Sequence, residues 1–115
     1  MLPKAYRLNL KHEFQKIRNT GDKIYDGPLA LFWAYDQSAK NWQANITVPV
    51  KVTKIKPSKN RIKRILMQSL HKLSAEIAPN CKIVILVNKD ISTWHQQYID
   101  KIIYSMLKKS KIIHT

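Results

Sequence analysis

Apolar positions recur along the chain with three different patterns, and each pattern predicts an element. From Asn60 onward, Ile62, Ile65, Leu66, Leu70, Leu73 and Ile77 return at three- and four-residue spacing. At about 100° per residue these positions share one helix face. Arg64, Gln68 and His71 fall on the opposite face, flanked by Arg61, Lys63 and Lys72. Pro57 ends the extended segment before this helix, and Ser58 is its candidate N-cap. Trp42 to Val48 alternates instead, with Trp42, Ala44, Ile46 and Val48 on one side and Gln43, Asn45 and Thr47 on the other. This is the period of two of a half-buried strand. Lys82 to Val87 is a nearly continuous aliphatic run, the pattern of a strand buried on both faces and therefore central in its sheet.

The remaining segments fill in around these three. Asn9 caps a short helix from about Leu10 to Asn19, with Leu10, Phe14 and Ile17 on one face and Gly21 where a helix end commonly turns left-handed. A strand begins at Ile24 and Tyr25, is interrupted by Gly27-Pro28, and continues as the aromatic-rich Leu29 to Tyr35. If Leu31, Trp33 and Tyr35 join the apolar face of the sheet, Phe32 becomes an aromatic ring on an open surface beside Ala30 and Ala34. Beyond Pro49, extended structure resumes through Lys51 and Val52. Thr93 with Gln96 resembles a capping box opening a last helix to about Lys108, with Trp94, Tyr98, Ile102, Ile103, Met106 and Leu107 as its apolar stripe and a frayed basic tail after it. The order αβββαβα predicts an α/β (α+β) two-layer sandwich: a single domain over residues 1–115, with one sheet and helices on one face. A strand–helix–strand unit from Ile46 to Val87 would by default cross over right-handedly if its strands are parallel.

Charge changes the picture from a fold to a class of partner. Lys and Arg total 21 against 7 Asp and Glu, a formal net charge of +14. Seven of these cations (Lys51, Lys54, Lys56, Lys59, Arg61, Lys63 and Arg64) crowd into the segment that opens the main helix, and no acid occurs between Asp36 and Glu76. Cationic side chains around a helix start act with the helix dipole, since both favour phosphate. Such a field attracts nucleic acid or, less specifically, an anionic membrane surface. The longest aliphatic run, Ile83 to Val87, is far too short to span a bilayer, and the first residues lack the apolar core of a secretory signal, so a cytoplasmic protein is expected.

Protein-borne catalysis finds no constellation here. The seven acids (Glu13, Asp22, Asp26, Asp36, Glu76, Asp90 and Asp100) are scattered, the four histidines show no metal-ligand spacing, and two glycines make no phosphate loop. Cys81 is the only cysteine, bordering an apolar run where an inert buried thiol is expected. The chain reads as a binder. Cations supply phosphate affinity and exposed aromatics supply stacking surfaces for unpaired bases.

Lys59-Asn60-Arg61-Ile62-Lys63-Arg64, opening a helix after an Ile-Thr-Val-Pro-Val-Lys strand, resembles the RNR signature of the bacterial ribonuclease P protein component. Arg7 and Leu8, then Glu13-Phe14-Gln15-Lys16, a following glycine and an aromatic strand fall in the family's order and spacing, so the resemblance covers about Arg7 to Leu86. It implies a mixed sheet with a left-handed βαβ crossover, in place of the default hand. It also implies a subunit that helps a catalytic RNA remove the 5′ leader of precursor tRNA, with magnesium held through that RNA, no protein-bound cofactor, and no membrane or protein partner required. By the same resemblance, Lys54, Lys56, Lys59, Asn60, Arg61, Lys63, Arg64 and Gln68 face the RNA subunit, while Phe14, Arg18, Phe32 and Lys51 face the leader; no metal ligands are assigned. Three features depart from the family pattern, the first being the turn before the signature, Lys54-Ile55-Lys56-Pro57 here in place of a Gly- or Lys-rich turn and Ala-Val. Lys59 replaces the signature's first arginine, keeping charge but not bidentate geometry, and Arg18 stands where a second aromatic is usual. A structural RNA-binding protein of ribosomal type would account equally for charge, size and helix. A DNA-binding helix-turn-helix protein fits less well, because the basic helix follows a strand.

Overall fold

The computed structural model describes residues 6, 8, 15–19 and 21–113. Residues 15–19 are helical (α1), followed by β1 (Asp22–Asp26), β2 (Leu29–Tyr35), β3 (Gln43–Thr47), α2 (Lys56–Lys72), β4 (Cys81–Val87) and α3 (Gln96–Lys109). One four-stranded sheet has the order β1-β2-β4-β3. β1 pairs antiparallel with β2 and β2 antiparallel with β4, while β3 and β4 run parallel on either side of α2 in sequence, so the sheet is mixed.

Gly27 explains the first pairing. Its φ of 57° is open to glycine at no steric cost, and the two-residue Gly27-Pro28 loop turns the chain back on itself. What the sequence presents as an interruption is thus a hairpin turn. Gly21 is required for a different reason from the left-handed turn expected of it. A Cβ there would lie 2.2 Å from the Trp33 carbonyl oxygen and 2.5 Å from that of Ile17, while its N–H donates to the Ile17 carbonyl at 2.8 Å. The end of α1 therefore sits directly on β2.

β4 is central, as its aliphatic run predicts, and the two faces of the sheet carry separate cores. On one, Leu29, Leu31, Trp33, Ala44, Ile46, Ile83, Ile85 and Val87 pack with Ile62, Ile65, Leu66 and Leu70 of α2 and with Ile99, Ile103, Met106 and Leu107 of α3. On the other, Ala30, Phe32 and Val84 pack with Leu8 and Ile17. The two long helices thus share one face, as the pattern predicts, whereas Ile17 places the short α1 against the opposite one. Leu8 also ties the chain to the outer strand, its N–H donating to the Ala44 carbonyl at 3.1 Å and its carbonyl accepting from Asn45 Nδ2 at 3.3 Å.

Helix ends depart from expectation for identifiable reasons. α3 does not form the Thr93–Gln96 capping box; its N-cap is His95, and Gln96 Nε2 instead reaches across to the Ile65 carbonyl at 2.9 Å. The buried stripe is accordingly Ile99, Ile103, Met106 and Leu107, leaving Tyr98 outside. Over its described residues the basic tail folds back on the core. Lys111 takes φ 63°, the Ile112 N–H donates to the Leu107 carbonyl at 3.0 Å, and the Lys111 N–H donates to that of Lys108 at 3.1 Å. These bonds make a Schellman motif, and Ile112 and Ile113 pack into the main core beyond it.

Candidate nucleic-acid interface

α2 begins at Lys56, so Pro57 lies inside its first turn and Ser58 is helical instead of capping. Proline is suited to that turn because its missing N–H would have no helical partner there. Ile55 is the N-cap; it offers no side-chain acceptor, and its own N–H donates to Thr53 Oγ1 at 3.2 Å. The first turn contains no acid. Lys51 sits in a turn closed by the Val52 N–H on the Pro49 carbonyl (2.9 Å), so the expected extension of β3 does not form.

With α2 placed, the charged positions distribute around it. Lys54, Lys56, Asn60, Arg61, Arg64 and Gln68 are exposed, and Lys59 and Lys63 are half-buried. Asn60, Lys63 and Arg64 meet with Met67 around a groove of about 300 Å³. Arg61 turns to the other flank, where its Nε donates to the Ser92 carbonyl at 2.5 Å. The basic signature therefore faces two grooves, one on each side of the helix. The ion pairs Lys72–Asp100 and Lys82–Asp36 engage other cations, and among the described residues no carboxylate is bonded to Arg61 or Arg64. Neither guanidinium has a carboxylate partner there, which leaves both open to an external anion.

The acids that do form bonds serve the fold. Burial opposes the charge of Asp100, but hydrogen bonds from Lys72, Ser69 and Gln96 together outweigh it and hold the carboxyl below its usual range, stapling α2 to α3. Asp36 lies well below the ordinary carboxylate range because Ser38 donates to it through both hydroxyl and N–H, with Lys82 adding a third bond. Cys81 is buried, which pushes its thiol up to about 12 and leaves it inert at neutral pH. Among the described residues no cluster of three metal-ligating side chains occurs, and no helix is long and apolar enough to cross a membrane.

The opposite face of the sheet corrects one expectation. Phe32 does lie on that face, as its register with Val84 requires, but it is only 8% exposed, packed with Leu8 and Ile17. Its ring is core and offers no open stacking surface. Alternation fixed the face but could not show that α1 would cover it. Arg18 and Lys51 are exposed; Phe14 lies outside the described residues. The half-buried edge of that face is the polar side of β3, Gln43, Asn45 and Thr47.

A family model, Ribonuclease P, matches residues 2–111. The chain belongs to the ribonuclease P protein family. Among its relatives, a ribonuclease P protein component of Rippkaea orientalis is 32% identical over 98% of this chain and 92% of its own length. One from Pseudanabaena is 28% identical over 99% and 98%. In three dimensions the chain resembles the RNase P protein of Staphylococcus aureus, with a TM-score of 0.85, 19% identity, and coverage of 96% of this chain and 100% of that one. The RNase P protein of Thermotoga maritima, solved in complex with 1-(4-fluorophenyl)-2-thiourea, gives 0.78 at 19% identity, covering 89% of this chain and 97% of that one. The chain thus shares the ribonuclease P protein fold, and as a ribonuclease P protein component it is a subunit of an endoribonuclease.

Proposed function

We propose that this ribonuclease P protein component docks on the catalytic RNA of the enzyme through α2 and holds the 5′ leader of precursor tRNA on the far side of the sheet. In this way it assists endonucleolytic removal of the leader during tRNA 5′ maturation. The observation that carries the reading is the groove of Asn60, Lys63 and Arg64, with neither Arg61 nor Arg64 bonded to a carboxylate of the described residues. Lys54, Lys56 and Lys59 extend the charge toward the helix start, and Gln68 continues the exposed face one turn on. RNA phosphates fit that surface. Bond cleavage rests with the RNA and its magnesium ions, and the protein contributes position and charge. Arg18 and Lys51 hold the leader through its phosphates, while Phe32 supports the wall behind them from within the smaller core.

Reconstitution tests this directly. Added to its organism's catalytic RNA at low magnesium, the protein is expected to restore 5′ leader cleavage of precursor tRNA. Lys63→Ala combined with Arg64→Ala is expected to weaken assembly and to flatten its salt dependence by about 0.7–0.9 in log–log slope for each phosphate no longer neutralised. Normal assembly by the double variant across a salt titration would remove α2 from the RNA interface.

A further inference from the structure

Beyond Arg61 the surface continues into a region that the ribonuclease P assignment leaves without a role. Pro57, Ser58, Arg61, Ser92 and Thr93 line a groove of about 470 Å³, and the bond from Arg61 Nε to the Ser92 carbonyl fixes the guanidinium at its wall. Thr93 also walls the next groove, about 370 Å³, whose other walls are Trp94, His95 and Tyr98. Sharing Thr93, the two grooves adjoin in a track with a cation in its first part and two aromatic rings in its second. Trp94 and Tyr98 meet edge to face, with centroids 5.4 Å apart and planes at 70°. Packing explains Trp94, which leans on the main core, but it does not explain Tyr98. That ring is 57% exposed, and the buried face of α3 passes it by.

The chemistry of the track favours an unpaired nucleotide. A base stacks on an exposed ring and its phosphate meets a cation, whereas an apolar peptide would need more aliphatic wall than Pro57, the one aliphatic side chain among the described lining residues of the two grooves, supplies. Asp90 and Asp100, the acids nearest the track in sequence, are both engaged, Asp90 by the Ser92 N–H at 2.9 Å and Asp100 by Lys72 Nζ at 2.6 Å. We infer that Tyr98, with Trp94 and Arg61, forms a stacking subsite for one unpaired base of the catalytic RNA. The inference rests on the α2 docking proposed above. The catalytic RNA is assigned over the leader because the track opens off α2 through Arg61, and α2 and α3 share the sheet face opposite Phe32 and Ile17.

The test measures equilibrium binding of the full chain to a transcript of the catalytic RNA, over a salt series, for Tyr98→Leu, Tyr98→Phe and Arg64→Ala. Tyr98→Leu is expected to bind roughly 5- to 150-fold more weakly with an unchanged salt slope, since every phosphate-binding cation is retained; Tyr98→Phe should bind like the parent. Arg64→Ala, reporting on the α2 reading alone, should flatten the slope. Unchanged affinity for Tyr98→Leu would overturn the subsite even while Arg64→Ala behaves as expected, and an inert Arg64→Ala would overturn the α2 reading separately. Equal losses for Tyr98→Leu and Tyr98→Phe would replace stacking by a hydroxyl bond, also overturning the inference. So would a loss seen for precursor tRNA but not for the catalytic RNA, or one seen only for a protein partner.

Discussion

Single residues carry roles here that composition does not show, and Lys111 is the clearest. It occupies the left-handed position after α3 with φ 63°, where an L side chain costs about 1–2 kcal/mol. The side chain is exposed, so removing it sacrifices no packing. Lys111→Gly is therefore expected to stabilise the fold by about 0.5–1 kcal/mol, part of the gain being offset by glycine's greater unfolded-state entropy. That should raise the melting temperature by a few degrees. Lys111→Ala keeps the strain and loses the charge, so it should give no such gain in the same thermal melts. The tail reads as frayed because its left-handed residue is not a glycine; the bonds to Leu107 and Lys108 and the burial of Ile112 and Ile113 show that the motif closes there. Phe32 illustrates the converse. Register placed it on the correct face, but exposure depends on what packs above, and Leu8 and Ile17 are distant in sequence.

Elements were legible where periodicity is strong and less so where a tertiary bond competes with a local one. β3, β4 and the buried face of α2 follow from alternation, a continuous aliphatic run and three–four spacing, and each occurs, although β3 stops at Thr47 and α2 ends at Lys72, so that Leu73 caps the helix and Ile77 reaches the core from beyond it. The start of α3 does not, because Gln96 leaves its local capping role to bond Ile65, Ser69 and Asp100 across the helix pair. That network has a consequence for pH. Asp100 has its carboxyl held below the usual range in the fold, so its contribution is present above the unfolded value, about 4, and is lost as pH falls through the folded value. Asp36 and Asp90 are lowered too and act in the same direction. Chemical denaturation should show stability falling below about pH 4. Asp100→Asn should cost about 1–2 kcal/mol at pH 7, discounted for a side chain 24% exposed, and should make the acid decline shallower. A variant with the parent's full acid dependence would remove Asp100 from that role.

At the scale of the whole molecule, charge opposes folding and favours binding, so salt acts on the two with opposite signs. The net charge of +14 is confined to a body of 37 × 32 × 25 Å, and the main basic segment has no acid interspersed between Asp36 and Glu76. Like charges that far apart still repel at low ionic strength, where the screening length is about 30 Å at 0.01 M, but not at 0.15 M, where it is about 8 Å. The free protein should therefore melt at a higher temperature as sodium chloride rises from about 0.01 to about 0.15 M. Over the same range, affinity for the catalytic RNA should fall, because added cations compete with counterion release. Removing Lys63 and Arg64 together should weaken both responses at once: two repelling charges leave the free fold, and the phosphates proposed to sit in the Asn60 groove lose their cations. Melting temperature and RNA affinity measured on one set of salt solutions separate this account from its alternative. If the surface were neutralised internally, screening would loosen favourable ion pairs and the melting temperature would fall with salt, against the absence of a carboxylate bonded to either arginine among the described residues.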